Sequence, residues 1–410
     1  MATKVTKRLS LPTDTSDKQR SPRSSVAGTT KRMLKLRRKK VSLSMLEDSA
    51  LDELLVVLAE DKEQMVVRSL LELLQAYEVP VAAAAIARLL AKEACAWPLL
   101  QWAFERAAAA EEGLGSFWWD EATASVGGGD HLWWLLLREY LLTAGGELVY
   151  EWLQEHASEP ICGKKDALLV VDPCPAPWFH DMSGVACPKQ AYDHEVREQL
   201  LPLVLELLAM LSARIPELPA NALKALAQCA FSQYVAGDDD DKHASSSRSK
   251  RRSKRENLRS KTFILRAVVV AFVMPAICRM TPLETEAIVG RDRLLQFAQL
   301  FRDVVLGDTH AIEAEGILTL TNIKKVKQAR AAFKDAVGGP LFARAQSVAG
   351  DLELQEEPCE AVTPVGQSLM VVKDIVAVHI KPLWPLCVEN AYGQVLLQIF
   401  AKQGLRQVDL

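Results

Sequence analysis

The sequence predicts an all-α protein in which many helices pack into one large domain. Hydrophobic residues make up 49% of the chain and charged residues 25%, which are ordinary values for a globular protein. Leu and Ala dominate the composition, and apolar residues recur at helical spacing along most of the chain. A run without charge around Val268–Ile277 has the composition of a core helix.

The N-terminal segment, residues 1–43, differs from the rest in charge and is predicted to be disordered. Residues 1–40 hold 13 basic and 2 acidic side chains, which leaves 36 basic and 50 acidic ones in the remainder. One interpretation is an electrostatic arm for anionic lipid, nucleic acid or an importin, switched by phosphorylation at Ser10 and Ser42. The other interpretation is a solvated tail.

Residues 44–112 carry the pattern of four amphipathic helices, with Pro80 at a break between the second and the third. Residues 113–130 then form a loop that is rich in Gly at both ends. Its aromatic pair, Trp118 and Trp119, is either an exposed anchor for a partner or a pair that folds back onto the helices.

A long helix is predicted from Leu132 to Gln154, with an interruption at Gly145-Gly146. Residues 157–193 are rich in Pro, Gly and Cys and are predicted to be irregular. Cys and His residues within this region match no common zinc spacing, so no metal is predicted. These residues are Cys162, Cys174, His180, Cys187 and His194.

A helix over Glu195–Ala213 is followed by two prolines that predict a turn, after which Asn221 can begin a new helix. Residues 237–261 place four consecutive carboxylates before a run of nine basic residues and are predicted to be a disordered, self-compensating insertion. A nuclear-localisation or polyanion-binding role for the basic run is the functional alternative.

The run Val268–Ile277 is predicted to be a helix buried on most faces, and Pro275 is expected to kink or end it. A strand is the second alternative because the run is rich in Val. A membrane span is the third, although the uncharged run of twelve residues is shorter than the roughly 20 that a bilayer requires.

Further helices are predicted over Arg291–Val305 and Asn322–Val337, and the second carries basic residues on one face. Residues 349–366 form an acidic linker. A final helical pair is predicted over Leu369–Gln403 around Trp384-Pro385. Eight scattered cysteines without a CxxC motif, and a polar N-terminus without an apolar segment, predict a reduced intracellular protein.

The order of several short motifs resembles the RasGAP (Ras GTPase-activating protein) domain family over roughly residues 45–345. The motifs are similar to the family's "S-L-L-x-L" helix, its R-E helix, its "E-Y-L-x-L-V-G" helix after the finger loop, its "P-x-L-P-x-N" turn and its "F-L-R-F-x-x-P-A-I" signature. They lie at Arg68–Leu74, Leu99–Arg106, Arg138–Gly145, Pro216–Asn221 and Val270–Ile277.

The resemblance implies a RasGAP-like helical domain at residues 44–345, with a C-terminal linker and helical extension at 346–410. In the signature, Phe272, Pro275 and Ala276 match the family, but Ala271 aligns with the family's Arg. The finger position is Trp118 or Gly128, and no Arg or Lys lies between Arg106 and Arg138. A RasGAP needs a cationic finger that neutralises transition-state charge, so the chain is expected not to activate hydrolysis.

The resemblance therefore implies a non-catalytic relative that binds a Ras-superfamily GTPase as an effector or scaffold, without enzymatic activity or a cofactor. Partner-binding candidates are Trp118, Trp119, Lys324, Lys325 and Lys327. The alternative is a helical scaffold that binds anionic lipid or nucleic acid through its basic segments. The expected location is the cytoplasm, with membrane association or nuclear entry through the basic segments.

Overall fold

The computed structural model describes eleven stretches of the chain, and the all-α class is confirmed within them: apart from one pair of three-residue strands, their regular structure is helical. Ser49–Leu410 forms one compact unit. The described stretches are residues 48–75, 77–110, 132–164, 167–170, 194–231, 257–282, 287–307, 320–351, 354–359, 365–387 and 389–402.

The first helices confirm the four predicted over residues 44–112, and Pro80 lies in the first turn of the third, where its missing N–H is tolerated. The prediction of a break at Gly145-Gly146 is also confirmed, because the fifth helix ends at Gly145. These helices are α1 (Asp48–Glu60), α2 (Met65–Leu73), α3 (Val79–Lys92), α4 (Trp97–Ala110), α5 (Leu132–Gly145) and α6 (Glu147–Trp152).

The middle of the chain contains a π-helical turn, Leu153–Ala157, and a short 3₁₀ turn, Ile215–Glu217, between longer helices. The two prolines and Asn221 mark the start of a helix as predicted. The elements are α7 (Ser158–Cys162), strand β1 (Leu168–Val170), α8 (His194–Arg214), α9 (Ala220–Phe231), α10 (Asn257–Arg279), strand β2 (Met280–Pro282) and α11 (Ala287–Leu306).

The C-terminal part begins with the basic helix, which a π-helical turn at Val337–Leu341 joins to the next helix. Its elements are α12 (Leu320–Ala336), α13 (Phe342–Gly350), α14 (Val365–Cys387) and α15 (Ala391–Lys402). Helix α14 packs against α2 and α3, so the C-terminal part lies on the N-terminal helices. The division of the chain at residue 346 stays a prediction.

Helices α5 and α10 are core helices of this unit, because both are apolar around most of their circumference. Helix α5 packs on α3, on α4 and on α10. By length and composition α8 and α10 are among the described helices that could cross a membrane, but 72% of the apolar window of α10 is buried inside the protein. The prediction of a buried helix around Val268–Ile277 is confirmed, and the strand alternative is wrong.

Helix α10 continues through Pro275, so the expectation that this proline ends the helix is wrong, while a kink stays a prediction. The seven residues Ala267–Val273 form a π-helical segment, and Pro275 then lies in the first turn of the α-helical segment Met274–Arg279. A proline cannot donate to the preceding turn, and the wider π turn accommodates the missing hydrogen bond. The helix therefore extends to Arg279.

Two segments that were predicted to be irregular are partly regular. Residues 157–193 begin with the last π-helical residue and α7, and β1 then pairs antiparallel with β2, with Leu169 opposite Thr281. Residues 257–261 of the predicted disordered insertion belong to α10. For β1 the cause is tertiary pairing with β2, a partner 110 or more residues away that the local composition does not reveal. Residues 171–193 and 232–256 lie outside the described residues.

The break in the last helical pair lies after Cys387 and not at Trp384-Pro385. Helix α14 includes Pro382 and Pro385, and α15 begins at Ala391. The Asn390 side chain accepts hydrogen bonds from the backbone N–H groups of Tyr392 at 2.8 Å and Gly393 at 3.1 Å. An Asn that caps a helix N-terminus in this way fixes the start of α15.

Candidate functional site

Two of the five motifs that carry the resemblance, Arg138–Gly145 in α5 and Val270–Ile277 in α10, lie in contact. A methyl group placed on Gly145 would lie 3.0 Å from a methyl carbon of Leu218 and 3.5 Å from the ring of Phe272. The tighter of the two contacts is with Leu218, in the turn before α9, so glycine at this position leaves room for that turn, while the Phe272 ring of α10 lies at ordinary contact distance. Helix α5 also follows directly on residues 111–131, which include the finger-loop equivalents.

The signature equivalents in α10 are all in the core. Ala271, Phe272, Pro275 and Ala276 are buried, so they pack the domain and present nothing to a partner. Phe272 lies against Gly145 of α5, and the segment that contains Pro275 and Ala276 packs mainly on α11. The finger-loop equivalents Trp118 and Gly128, the neighbouring Trp119, and the phosphorylation candidates Ser10 and Ser42 lie outside the described residues.

A buried cluster of charges, the charge brace, joins α3, α5 and α10. Its centre is the carboxylate of Glu139, which is 1% exposed. Arg88 lies 3.3 Å from one carboxylate oxygen and Arg138 lies 3.2 Å from the other, while Arg279 bonds the same oxygen as Arg88. Three guanidiniums therefore share one carboxylate in the protein interior.

The electrostatics of the charge brace favour the ionised carboxylate. Burial alone would raise the pKa of Glu139, but Arg279, Arg138 and Arg88 outweigh it and hold that pKa at about 2. Burial lowers the pKa of Arg138, and the neighbouring Arg279 adds to this effect. Burial acts in the same direction on Arg279, but Glu139 and Tyr150 outweigh it and raise the pKa of Arg279.

The charge brace has further contacts that extend it to two more helices. A nitrogen of Arg88 lies 3.4 Å from the hydroxyl of Ser368 on α14, and Tyr150 on α6 interacts with Arg279. The cluster thus fixes the positions of five helices relative to one another. A buried hydrogen-bonded network of this kind selects one packing arrangement and is sensitive to the loss of any member.

Sequence reasoning missed the charge brace, although one signal was available. Helix α5 reads L-W-W-L-L-L-R-E-Y-L-L, and a charged pair inside a wholly apolar helix must be buried with it. Such a pair requires partners of opposite charge elsewhere in the chain. The pattern indicates this requirement but does not identify Arg88 or Arg279 as the residues that meet it.

The basic helix α12 presents a different kind of charge, because its lysines are on the surface. Lys324, Lys325 and Lys327 are exposed, as a partner-binding role requires. Partial burial and the neighbouring Arg330 lower the pKa of Lys334, which shows that positive charge accumulates along the helix. Within the described residues, no cluster of three or more His, Cys, Asp or Glu side chains could hold a metal ion.

The zinc question is only partly answered by the structure, because Cys174, His180 and Cys187 are outside the part of the chain that it describes. No protein-family model and no curated protein matches this chain.

Proposed function

We propose that this protein binds a small GTPase of the Ras superfamily and acts as a non-catalytic effector or scaffold. The proposal rests on the resemblance of residues 45–345 to RasGAP domains. The observation that carries it furthest is the packing of α5 on α10. In the resemblance these elements are the helix after the finger loop and the signature helix, which must lie side by side for a loop to be braced.

The arginines of the charge brace support a non-catalytic role. A catalytic finger must place a guanidinium beside the γ-phosphate of the bound nucleotide. Arg138, in α5, is buried, and the side chain of Arg279, at the end of α10, is 13% exposed; both are bonded to Glu139. Turning either outward would remove a hydrogen-bonding partner from a buried carboxylate, which costs about 1–3 kcal/mol. Residues 107–137 contain neither Arg nor Lys.

The lysines of α12 supply the surface that we assign to the GTPase. Three exposed ammonium groups within four residues, Lys324, Lys325 and Lys327, favour a partner with a carboxylate-rich surface. Such a pairing raises the association rate and fixes the orientation of the complex. The chain beyond residue 40 has an excess of acidic residues, so a local cluster of lysines stands out from its surroundings in charge.

The binding test is a pull-down with a panel of small GTPases, each loaded with GTP analogue or GDP. We expect a GTP-dependent complex that survives deletion of residues 1–43 and 237–256. Charge reversal of Lys324, Lys325 and Lys327 to Glu should weaken it by about tenfold or more. The matched control reverses three exposed lysines elsewhere, Lys62, Lys92 and Lys381, and should leave binding unchanged.

The alternative function, a scaffold for anionic lipid or nucleic acid, predicts a different outcome of the same experiment. In that case no GTPase is captured, and binding to anionic vesicles or nucleic acid disappears with the two basic segments and at high salt.

The catalytic test is single-turnover GTP hydrolysis by the captured GTPase, with and without a saturating amount of this protein. We expect no acceleration, since residues 107–137, which include the finger-loop equivalents, contain no Arg or Lys to stabilise the transition state. An acceleration above about 100-fold, in the range that a finger arginine supplies, would contradict the non-catalytic assignment.

A further inference from the structure

A short segment after α13, residues 354–359, lies across several helices without secondary structure of its own; we name it the strap. Gln355, Glu357 and Pro358 are exposed, whereas Glu356 is turned inward. Hydrogen bonds join the strap to four helices: α3, α4, α5 and α9. The strap therefore resembles a bound peptide more than a packed core segment.

The carboxylate of Glu356 is the deepest anchor of the strap. One oxygen accepts a hydrogen bond from the backbone N–H of Trp97 at 3.1 Å, at the N-terminus of α4, where the helix dipole favours an anion. The other oxygen accepts from the hydroxyl of Tyr140 at 2.9 Å. That hydroxyl in turn accepts from the indole N–H of Trp97 at 2.9 Å. This pocket therefore supplies two neutral donors, one to each oxygen of the carboxylate.

The backbone of the strap is held by Asn221, the first residue after the P-x-L-P-x turn. Its side-chain nitrogen donates to the carbonyl of Glu357 at 2.5 Å, and its oxygen accepts from the N–H of Glu357 at 3.2 Å. Further on, the N–H of Cys359 donates to the carbonyl of Ala91 at 3.1 Å. An amide that pairs with both groups of one residue binds an extended backbone without regard to its side chain.

Before the strap, Lys224 fixes the approach of the chain. Its ammonium donates to the carbonyl of Asp351 at 2.7 Å and lies 5.5 Å from the centre of the Trp97 ring. The helices thus provide three binding features: the carboxylate pocket of Trp97 and Tyr140, the Asn221 amide that pairs with the backbone, and the Lys224 ammonium beside the Trp97 ring. Main-chain pairing of this kind gives affinity, and the single pocket gives specificity.

We propose that this groove is a peptide-recognition site, which the strap occupies as an exchangeable ligand from the same chain. The partner that it fits is an extended acidic peptide with a Glu for the Trp97–Tyr140 pocket, followed by a residue whose backbone pairs with Asn221. The strap is exchangeable because polar contacts at an exposed segment can be replaced by water, so it opens locally without unfolding the domain. The inference does not depend on GTPase binding.

The strap competes with any external peptide at an effective concentration on the order of millimolar, as expected for a short tether. The wild-type protein should therefore bind such a peptide weakly. Glu356→Lys places a cation at the N-terminus of α4 and displaces the strap while the groove residues stay intact. The matched control is Glu357→Lys, which makes the same change of charge one residue later on an exposed side chain.

The test measures fluorescence polarisation of a labelled synthetic peptide with the sequence of residues 351–361 against the full chain. We expect at least tenfold tighter binding to Glu356→Lys than to wild type or Glu357→Lys. Adding Asn221→Ala to Glu356→Lys should abolish the gain, and circular dichroism checks that both variants keep their helices. Equal affinity for wild type and Glu356→Lys, or binding that survives Asn221→Ala, would overturn the proposal.

A measurement on the wild-type protein avoids any folding defect of the variants. Hydrogen exchange at the amides of Glu357 and Cys359 should proceed through local opening, at least tenfold faster than at the core amides of α5. If the two strap amides exchange only when the whole domain unfolds, the strap is a fixed part of the fold and the proposal fails.

Discussion

Two neighbouring residues of α5 belong to two different polar sites. Glu139 is the centre of the charge brace, and Tyr140 forms, with Trp97, the pocket that binds Glu356 of the strap, the strap pocket. Each site contains a carboxylate withdrawn from water, wholly at Glu139 and partly at Glu356, but the pKa values shift in opposite directions. Three guanidiniums hold the pKa of Glu139 at about 2, whereas burial raises the pKa of Glu356, which has only neutral donors around it. Burial acts in the same direction on both carboxylates, and only the cationic partners of Glu139 are strong enough to favour the ionised form.

The two sites also differ in how firmly they hold the chain. The charge brace lies between core helices, and its loss would leave cations in the interior. The strap pocket lies at the edge of the fold, and water can replace what the strap supplies. The structure therefore combines a rigid junction and a replaceable ligand on successive residues of one helix, and the predictions below separate the two.

The largest expected effect is that of Glu139→Gln. The substitution removes the charge that Arg88, Arg138 and Arg279 share, and the loss of one partner in a buried ionic cluster costs about 3–5 kcal/mol of unfolding free energy. Urea denaturation followed by circular dichroism measures it. The control, Glu151→Gln, changes an exposed carboxylate on α6 and should alter stability by less than about 0.5 kcal/mol. A small effect of Glu139→Gln would show that the brace is dispensable.

Acidification should reproduce part of this loss in the wild-type protein. The pKa of Glu139 is lowered in the folded state, from 4.5 to about 2, so its contribution is complete above pH 4.5 and disappears as the pH falls towards 2. The contribution is on the order of 3 kcal/mol. Unfolding free energies measured between pH 2 and 7 in wild type and Glu139→Gln should converge at the acidic end. Parallel curves would contradict the assigned pKa.

A smaller loss is expected for Arg279→Leu. The carboxylate of Glu139 keeps Arg88 and Arg138 as partners, so no anion is left unpaired, while Tyr150 loses an interaction. The loss of a buried hydrogen-bonding partner costs about 1–3 kcal/mol. The unfolding free energy of this variant, measured by urea denaturation, should therefore lie between those of wild type and Glu139→Gln. A loss of unfolding free energy larger than that of Glu139→Gln would contradict this order.

The smallest expected effect concerns the strap and its dependence on pH. Docking raises the pKa of Glu356, so the docked strap binds the proton more tightly than the released strap and docking is favoured as the pH falls. Protection factors of the Glu357 and Cys359 amides should decrease as the pH rises through the raised pKa. Glu356→Gln should remove this dependence and change global stability by less than about 1 kcal/mol. An unchanged pH dependence in Glu356→Gln would assign the titration to another group.

The sequence predicted the parts of the fold that depend on neighbouring residues. The apolar circumference of α5 and of Val268–Ile277 required burial, and the paired glycines at 145 and 146 marked the break after α5. The turn before Asn221 set the start of α9. The expectation that Pro275 ends the helix was wrong because a proline's effect depends on whether the preceding turn can widen, and here that turn is π-helical.

The all-α class and the core helices therefore follow from the sequence, which also carries an overlooked signal that Arg138-Glu139 is buried with partners. Only the tertiary structure decided which partners these are. Arg279 is 140 residues from Glu139 in the chain, and Glu356 is 216 residues from Tyr140. Periodicity and turn residues act over a few positions, whereas a charge or a hydrogen-bonding group can be satisfied by any residue that the fold brings within about 3 Å. Tertiary packing therefore decides which distant residue satisfies each buried charge or hydrogen-bonding group.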